Sequence, residues 1–376
     1  MPTIPCQRAL FDIERERAYL DCAKMSPLLR SALEAGQRGL ARKAHPWDIE
    51  APDFFDEAER VRGLFARLIG AGAGDVAIIP SVSYGLAVVM ANVSPAPGQT
   101  IVTIAEDFPS TVFATRALAE RSGARLVTVD RPGADGGWTE AILAAIGEET
   151  ALVCCPHVHW VCGGLIDLAA VGRRCRAVGA ELVLDTTQSC GALPLDLTSV
   201  DPDWMVAASY KWLLGPYSLG FLYAAPRRQC GVPVEQGWIT RRGAEDFRRL
   251  IDYPSELQPD ARRYDMGERS NFALLPVAGA AIAQLLDWGV ADISATLGAY
   301  NETLAARLRG IGLDVPEGRA PHYVSARFPG GLPDDIGERL AFAKVHVSLR
   351  GDRMRITPHL YNDEADADKL VRELSR

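Results

Sequence analysis

Between residues 75 and 211, short apolar, β-branched runs alternate with stretches of helical periodicity, and few folds accept that alternation. Asp75–Pro80, Thr100–Ile104, Arg125–Val129, Ala151–Pro156 and Glu181–Leu184 read as strands. Ser83–Asn92, residues 110–122 and the segment after Asp167 read as helices. In the last of these, Leu168, Val171, Cys175 and Val178 recur at helical spacing, with Asp167 as N-cap and Gly179 as stop. Such an order builds an α/β fold: a mostly parallel sheet with helices on both faces. Ligands bind such sheets beyond the carboxyl ends of the strands. The loops after residues 80, 104, 157 and 184 are therefore where a site is expected.

Past about residue 260 the pattern changes to a long Ala/Leu-rich helix over 272–288 and a strand pair at 345–349 and 353–357. The expected organisation is a large domain over 26–260 and a smaller α+β domain assembled from 1–25 and 261–376. Gly70-Ala-Gly-Ala-Gly74 has the look of a dinucleotide fingerprint, but that motif must follow a strand and open a helix. Here a helical pattern precedes it and a strand follows, so it reads as a helix stop and a turn. That argues against a nucleotide-binding oxidoreductase. Lys and Arg number 40 against 48 Asp and Glu, a net charge of −8. This argues against a nucleic-acid partner or an anionic membrane surface. No run of 18 apolar residues exists, and the N-terminus lacks a basic stretch followed by an apolar one, so a cytoplasmic protein is expected. Among the eight cysteines, the cluster from Cys154 to Cys162 holds soft ligands but neither CxxC nor HxxxH spacing. No metal site is expected.

The chemistry lies in two stretches. Asp185 ends an apolar strand in Leu182-Val-Leu-Asp-Thr-Thr-Gln-Ser-Cys-Gly. Lys211 follows another apolar run in Asp203-Trp-Met-Val-Ala-Ala-Ser-Tyr-Lys-Trp-Leu-Leu-Gly-Pro. Each alone has a bland explanation, as a helix cap and a solvated cation. Together they suit pyridoxal 5'-phosphate, which needs a lysine for its Schiff base and an acid to keep the pyridine nitrogen protonated. Pro80-Ser-Val-Ser-Tyr-Gly85, between a strand and a helix, offers a seat for the phosphate.

At these residues the sequence resembles the class V aminotransferase family of fold-type-I pyridoxal-phosphate enzymes, which includes cysteine desulfurases, kynureninases and isopenicillin N epimerase-like proteins. The resemblance runs from Tyr19-Leu-Asp-Cys-Ala23 to Arg355-Ile-Thr-Pro-His-Leu-Tyr-Asn362. It implies Lys211 as the Schiff-base lysine and proton shuttle, Asp185 on the pyridine nitrogen and Gln188 on the ring's phenolic oxygen. It further implies Tyr210, Ser83 and the backbone around Tyr84 at the phosphate, and Phe108 stacked on the ring. Arg355 matches the arginine that grips the substrate α-carboxylate, with Arg350 and Arg353 close enough to exchange roles with it. Ser270 and Asn271, in Gly267-Glu-Arg-Ser-Asn271, match the segment that relatives donate across a homodimer interface to the partner's phosphate, although the family's usual threonine is absent. His157, His159, Trp160 and Lys24 are further candidates for the substrate pocket.

The reaction is less constrained. Residues 344–354 contain no cysteine, which argues against a persulfide-forming desulfurase, and Cys22 and Cys190 read as small buried residues. A kynureninase-like hydrolysis fits a chain this short poorly. Transamination is the first expectation, because it needs no extra catalytic group; β-elimination, including C–S lysis, and epimerisation or racemisation remain alternatives. A catalytically silent binding protein on the same fold would be expected to lose the lysine or its acidic partner, and both are present.

Overall fold

A computed structural model describes residues 4–132 and 137–376. Twelve strands among them form three sheets. β1 (Ala18–Tyr19) stands apart from the central sheet, which comprises β2 (Val76–Ile79), β3 (Thr100–Ile104), β4 (Arg125–Val129), β5 (Thr150–Pro156), β6 (Glu181–Asp185), β7 (Trp204–Ala208) and β8 (Gly220–Ala224). The central order is β2-β8-β7-β6-β5-β3-β4. β3 to β7 pair in parallel with their neighbours among themselves and with β4, whereas β8 runs antiparallel to both β2 and β7. The sheet is thus mostly parallel, as expected, with one reversed strand near an edge.

The central strands read as unbroken apolar runs because both faces are covered. On one face Ile78, Val102, Val153, Leu182, Met205 and Phe221 pack beneath helices Asp56–Ile69, Leu168–Val178 and Leu274–Trp288. On the other, Ala77, Ile101, Leu152, Val183, Val206 and Leu222 meet helices Val82–Asn92 and Pro109–Ser122. Asp167 caps its helix through Ala170 N–H at 2.9 Å, and Gly179 ends it at φ 75°. Gly70 likewise stops helix 56–69 at φ 73°, confirming the turn reading of the glycine run.

Helix Leu274–Trp288 lies against helices 30–41 and 56–69, on the layer that covers the large sheet. The approach is close: a Cβ at Gly36 would strike Val277, and one at Gly39 the carbonyl of Phe272. Beneath it lies a charged junction. Arg62, fully buried, donates to Asp265 at 2.7 and 3.1 Å, while Ile78 N–H donates to the same carboxylate at 2.8 Å and Arg269 approaches it at 3.1 Å.

The last third differs from expectation in one respect. The single strand expected over 345–349 is split: β10 (Val345–His346) pairs in parallel with β1, while β11 (Ser348–Arg350) turns to pair antiparallel with β12 (Arg353–Ile356). The chain changes partner at Val347 because β1 is only two residues long. β12 also pairs with β9 (Val324–Arg327), and Ala18, Leu20, Leu304, Val324, Met354 and Leu370 form a separate core around this unit. Among the described residues no single helix is long and apolar enough to cross a membrane.

Candidate active site

Loops after β2, β3, β5, β6 and β7 converge on a cavity of about 300 Å³. Its rim is built from the first turns of two helices. Ser81 caps helix 82–92 by accepting Tyr84 N–H at 3.1 Å, and Ser83 Oγ lies 2.9 Å from Ser110 Oγ at the start of helix 109–122. Uncommitted first-turn N–H groups and paired hydroxyls make an anion seat. Ser83 lines the cavity as expected; the Tyr84 side chain instead packs against the core on both sides of the sheet.

The floor carries the charge. Asp185 ends β6, buried, and one oxygen accepts Thr187 N–H at 2.9 Å. Burial raises its pKa above the usual carboxylate range, while hydrogen bonds to Thr187 and the Lys211 charge oppose the rise. Lys211 is 6% exposed, and burial lowers its amine to about 8 against the pull of Asp185. Its Nζ stands 5.3 Å from the centre of the Phe108 ring and 5.5 Å from that of Tyr210. The loop that presents it is held by Ser209, whose hydroxyl donates to the Pro216 carbonyl at 2.9 Å, and contains Leu214 at φ 54°. A left-handed leucine persists only where its surroundings enforce it. Gln188 donates to the Ala23 carbonyl at 3.2 Å and accepts the Trp212 indole N–H at 3.1 Å, which leaves one amide N–H uncommitted. Lys211, Asp185, Gln188, Phe108, Tyr210 and Ser83 therefore share one cavity.

Other expected residues lie outside its wall. Pro156, Val158 and Trp160 line the cavity, whereas His157 and His159 alternate away from it. His159 stacks on Trp138, with ring centres 4.9 Å apart, and its Nδ1 lies 3.3 Å from Cys162 Sγ. Lys24 is exposed and does not reach the cavity. Asn271 instead caps helix 274–288, accepting from Ala273 and Leu274 N–H at 3.1 and 2.9 Å, and the Ser270 hydroxyl bonds the Phe54 carbonyl; within one chain both lie away from the cavity. Arg355 is buried but already engaged. Its Nη2 contacts Asp21 at 3.3 Å and Ser348 Oγ at 3.2 Å, and its Nη1 donates to the Trp160 carbonyl at 3.1 Å. It reaches the cavity through Trp160, whose ring lies edge-on to Phe108 at 5.7 Å. Arg350 sits over the Trp160 ring at 5.8 Å. The sequence reading missed Asp107, Ser110 and Tyr217 in the wall. Only Asp107 carried a signal, an acid beside the stacking phenylalanine.

The sequence profile of the class V aminotransferases matches residues 19–370. The chain belongs to that family. An uncharacterised aminotransferase, YcbU, of Bacillus subtilis is 28% identical over 326 residues, spanning 85% of this chain and 84% of that protein. The kynureninase of Pseudomonas fluorescens is 31% identical over 195 residues, spanning 49% of this chain and only 45% of its own length. In three dimensions a cysteine desulfurase of Thermococcus onnurineus superimposes with a TM-score of 0.87 at 18% identity, covering 100% of this chain and 98% of that one; this shows the fold, type I, alone. The cofactor of this class V aminotransferase family member is pyridoxal phosphate. The donors in the cavity suit it: an amine, a buried carboxylate, a flat apolar ring and a helix N-terminus with two hydroxyls.

Behind Gln188 lies a set of buried, neutral histidines. His322 donates to the Gln188 carbonyl at 2.6 Å, and both ring nitrogens of His359 lack partners. Burial lowers His157 and His322 to about 4 and His359 to about 3. A histidine depressed in the fold binds fewer protons than the unfolded chain, so it contributes stability above its ordinary pKa and loses it as pH falls. His359→Phe removes one such group, so the melting temperature of this variant should gain on the wild type as pH drops below about 6.5. Thermal melts across that range check this; a gap independent of pH refutes it.

Proposed function

We propose that the protein is a pyridoxal-phosphate-dependent aminotransferase acting on an α-amino acid. The observation that carries this reading is the cavity lining, in which, among the described residues, Lys211 is the only amine and no histidine takes part. When bound, pyridoxal phosphate supplies an electron sink for negative charge at the substrate Cα. Asp185 is placed to keep the ring nitrogen protonated, and the free amide N–H of Gln188 to donate to the ring oxygen. Lys211, with its amine lowered to about 8, can take the Cα proton near neutral pH and return it elsewhere. A single base on one face suffices for that shift, whereas two-base epimerisation asks for a partner on the other, the face that Phe108 would cover if it stacks on the ring. Desulfuration asks for a thiol near the substrate. Cys22 is buried with its Sγ 3.8 Å from the Lys211 carbonyl, and burial raises the Cys190 thiol to about 12, so neither thiol serves.

The chain is read as half of a homodimer in which residues 267–271 reach the partner's phosphate seat; exposed Trp47, Ile251 and Tyr253 support a covered surface. Incubating the holoenzyme with a panel of amino acids separates the reactions. Transamination yields keto acid and the pyridoxamine form without ammonia; pyruvate with ammonia would replace this reading by β-elimination, and loss of optical activity alone by epimerisation.

Arg355 is assigned to the substrate carboxylate, reached by exchange for its Trp160 and Asp21 contacts. A lysine there keeps the charge but loses the planar fork. Arg355→Lys should raise KM by about tenfold or more with a smaller change in kcat. Initial-rate kinetics on the folded variant check this, and an unchanged KM would shift the assignment to Arg350.

A further inference from the structure

The mechanism above leaves one buried acid of the cavity unused. Asp107 follows β3, and the backbone is constrained to deliver it there. Glu106, just before it, adopts φ 55°, a left-handed conformation that side chains other than glycine avoid. Three contacts hold that turn. The Trp160 indole donates to the Glu106 carbonyl at 2.7 Å, Arg131 pairs with the Glu106 carboxylate at 3.2 Å, and His159 Nε2 lies 3.3 Å from the Ala105 carbonyl. The result is a carboxyl only 5% exposed, facing the cavity. Its Oδ1 accepts Phe108 N–H at 2.7 Å, while Oδ2 is buried with no partner. The Phe108 N–H needs one oxygen; the second is left buried and unpaired in a residue that lines the same cavity as Asp185.

We propose that Asp107 is a positioning residue for the cofactor that acts through Asp185, the two carboxyls together setting how firmly the ring nitrogen of pyridoxal phosphate holds its proton. The inference rests on Asp185 facing that nitrogen. The titratable groups facing Asp107 are Asp185 from β6, His159 from the loop after β5 and the buried thiols of Cys154 and Cys155 in β5. Burial, and then the Asp185 charge, push Asp107 up to about 7, with His159 pulling the other way. Burial raises both acids, and the Asp185 charge raises Asp107 further. When Asp107 releases its Oδ2 proton to solvent, no bond to carbon changes; a second negative charge enters the cavity and favours the protonated ring nitrogen.

The test compares wild-type holoenzyme with Asp107→Asn by visible absorbance of the bound cofactor across a pH titration. The wild type should show a spectral step near pH 7 that the variant lacks. Melting of the cofactor-free proteins gives an independent readout. A carboxyl whose pKa is raised in the fold contributes stability below its ordinary value and loses it as pH rises through the folded one. Wild-type melting temperature should therefore fall relative to Asp107→Asn as pH rises from about 4 to 7, and the difference should level off above 7. A purely capping role predicts superimposable spectra and a melting offset that is constant with pH, and that result overturns the proposal. Should Asp107→Asn melt too low, Asp107→Ser keeps a cap for Phe108 and carries the same comparison. Asp185→Asn is the control. If it too leaves the spectrum and cofactor affinity untouched, the placement of Asp185 has failed and the proposal with it; if it alone has an effect, only the Asp107 inference is overturned.

Discussion

Lys211→Ala should reduce turnover by at least about 10³-fold, within the range that a positioned acid–base group contributes, and borohydride should no longer fix the cofactor to the chain. The argument starts from solvation. An ammonium beside the Phe108 and Tyr210 rings has lost most of its water, and the compensating Asp185 charge restores only part of that loss, so the amine is lowered to about 8. Near neutral pH a useful fraction is a free base, which an exposed lysine would not provide. Lys211→Arg keeps a cation but cannot release its proton, so it should fail as completely. The loss belongs to chemistry and not to folding: a depressed lysine costs the fold stability below its ordinary pKa, so the cofactor-free alanine variant should melt no lower than wild type near neutral pH. Single-turnover kinetics, borohydride trapping and circular dichroism together check this. Residual turnover within tenfold of wild type would remove Lys211 from the reaction.

Asp265→Ala should destabilise the protein by about 3–5 kcal/mol, measured by urea denaturation with cofactor absent. Arg62 has no exposed surface; it donates twice to this carboxylate, and also to the Val76 carbonyl and to Glu59 at 3.1 Å. Removing the acid leaves the buried guanidinium with Glu59 as its remaining carboxylate and frees Ile78 N–H in the first central strand. The partners are 0% and 1% exposed at the side chain, so solvent screens little of the effect. Replacing both, as Arg62→Met with Asp265→Leu, should recover only part of the loss, because Arg269, 3.1 Å from Asp265, still loses its carboxylate. A double variant as unstable as the single one would show that the junction acts through packing alone.

The central strands were legible because burial on both faces leaves long apolar runs, and the cavity lining because strand ends in such sheets carry sites. Parity misled the reading of His157 and His159. Both stand at the expected strand end, but a period of two turns odd positions away when Pro156, Val158 and Trp160 face in. The split of residues 345–349 between two partners depends on β1, whose two residues carry no detectable pattern. Arg62 and Asp265 stand 203 positions apart, and Arg355 and Asp21 334 apart, so neither pairing is visible to local spacing. Asp107 was hidden by its neighbour: Phe108 accounted for the motif so well that the acid beside it was given no role.

The pairing of β1 with β10 also orders events in time. Ala18 meets Val345, Leu20 N–H bonds the His346 carbonyl, and Ser348 reaches Asp21 over 327 positions. A chain emerging from the ribosome can complete the central sheet once residue 224 is out, but its first strand must then wait for nearly the whole remaining sequence. Closure of a loop that long is slow compared with local contacts. Arg355, held by Asp21, is thus among the last groups to reach its place. A truncated or stalled chain would be expected to assemble the cofactor floor while lacking the arginine assigned to substrate, a species able to bind pyridoxal phosphate and unable to turn over.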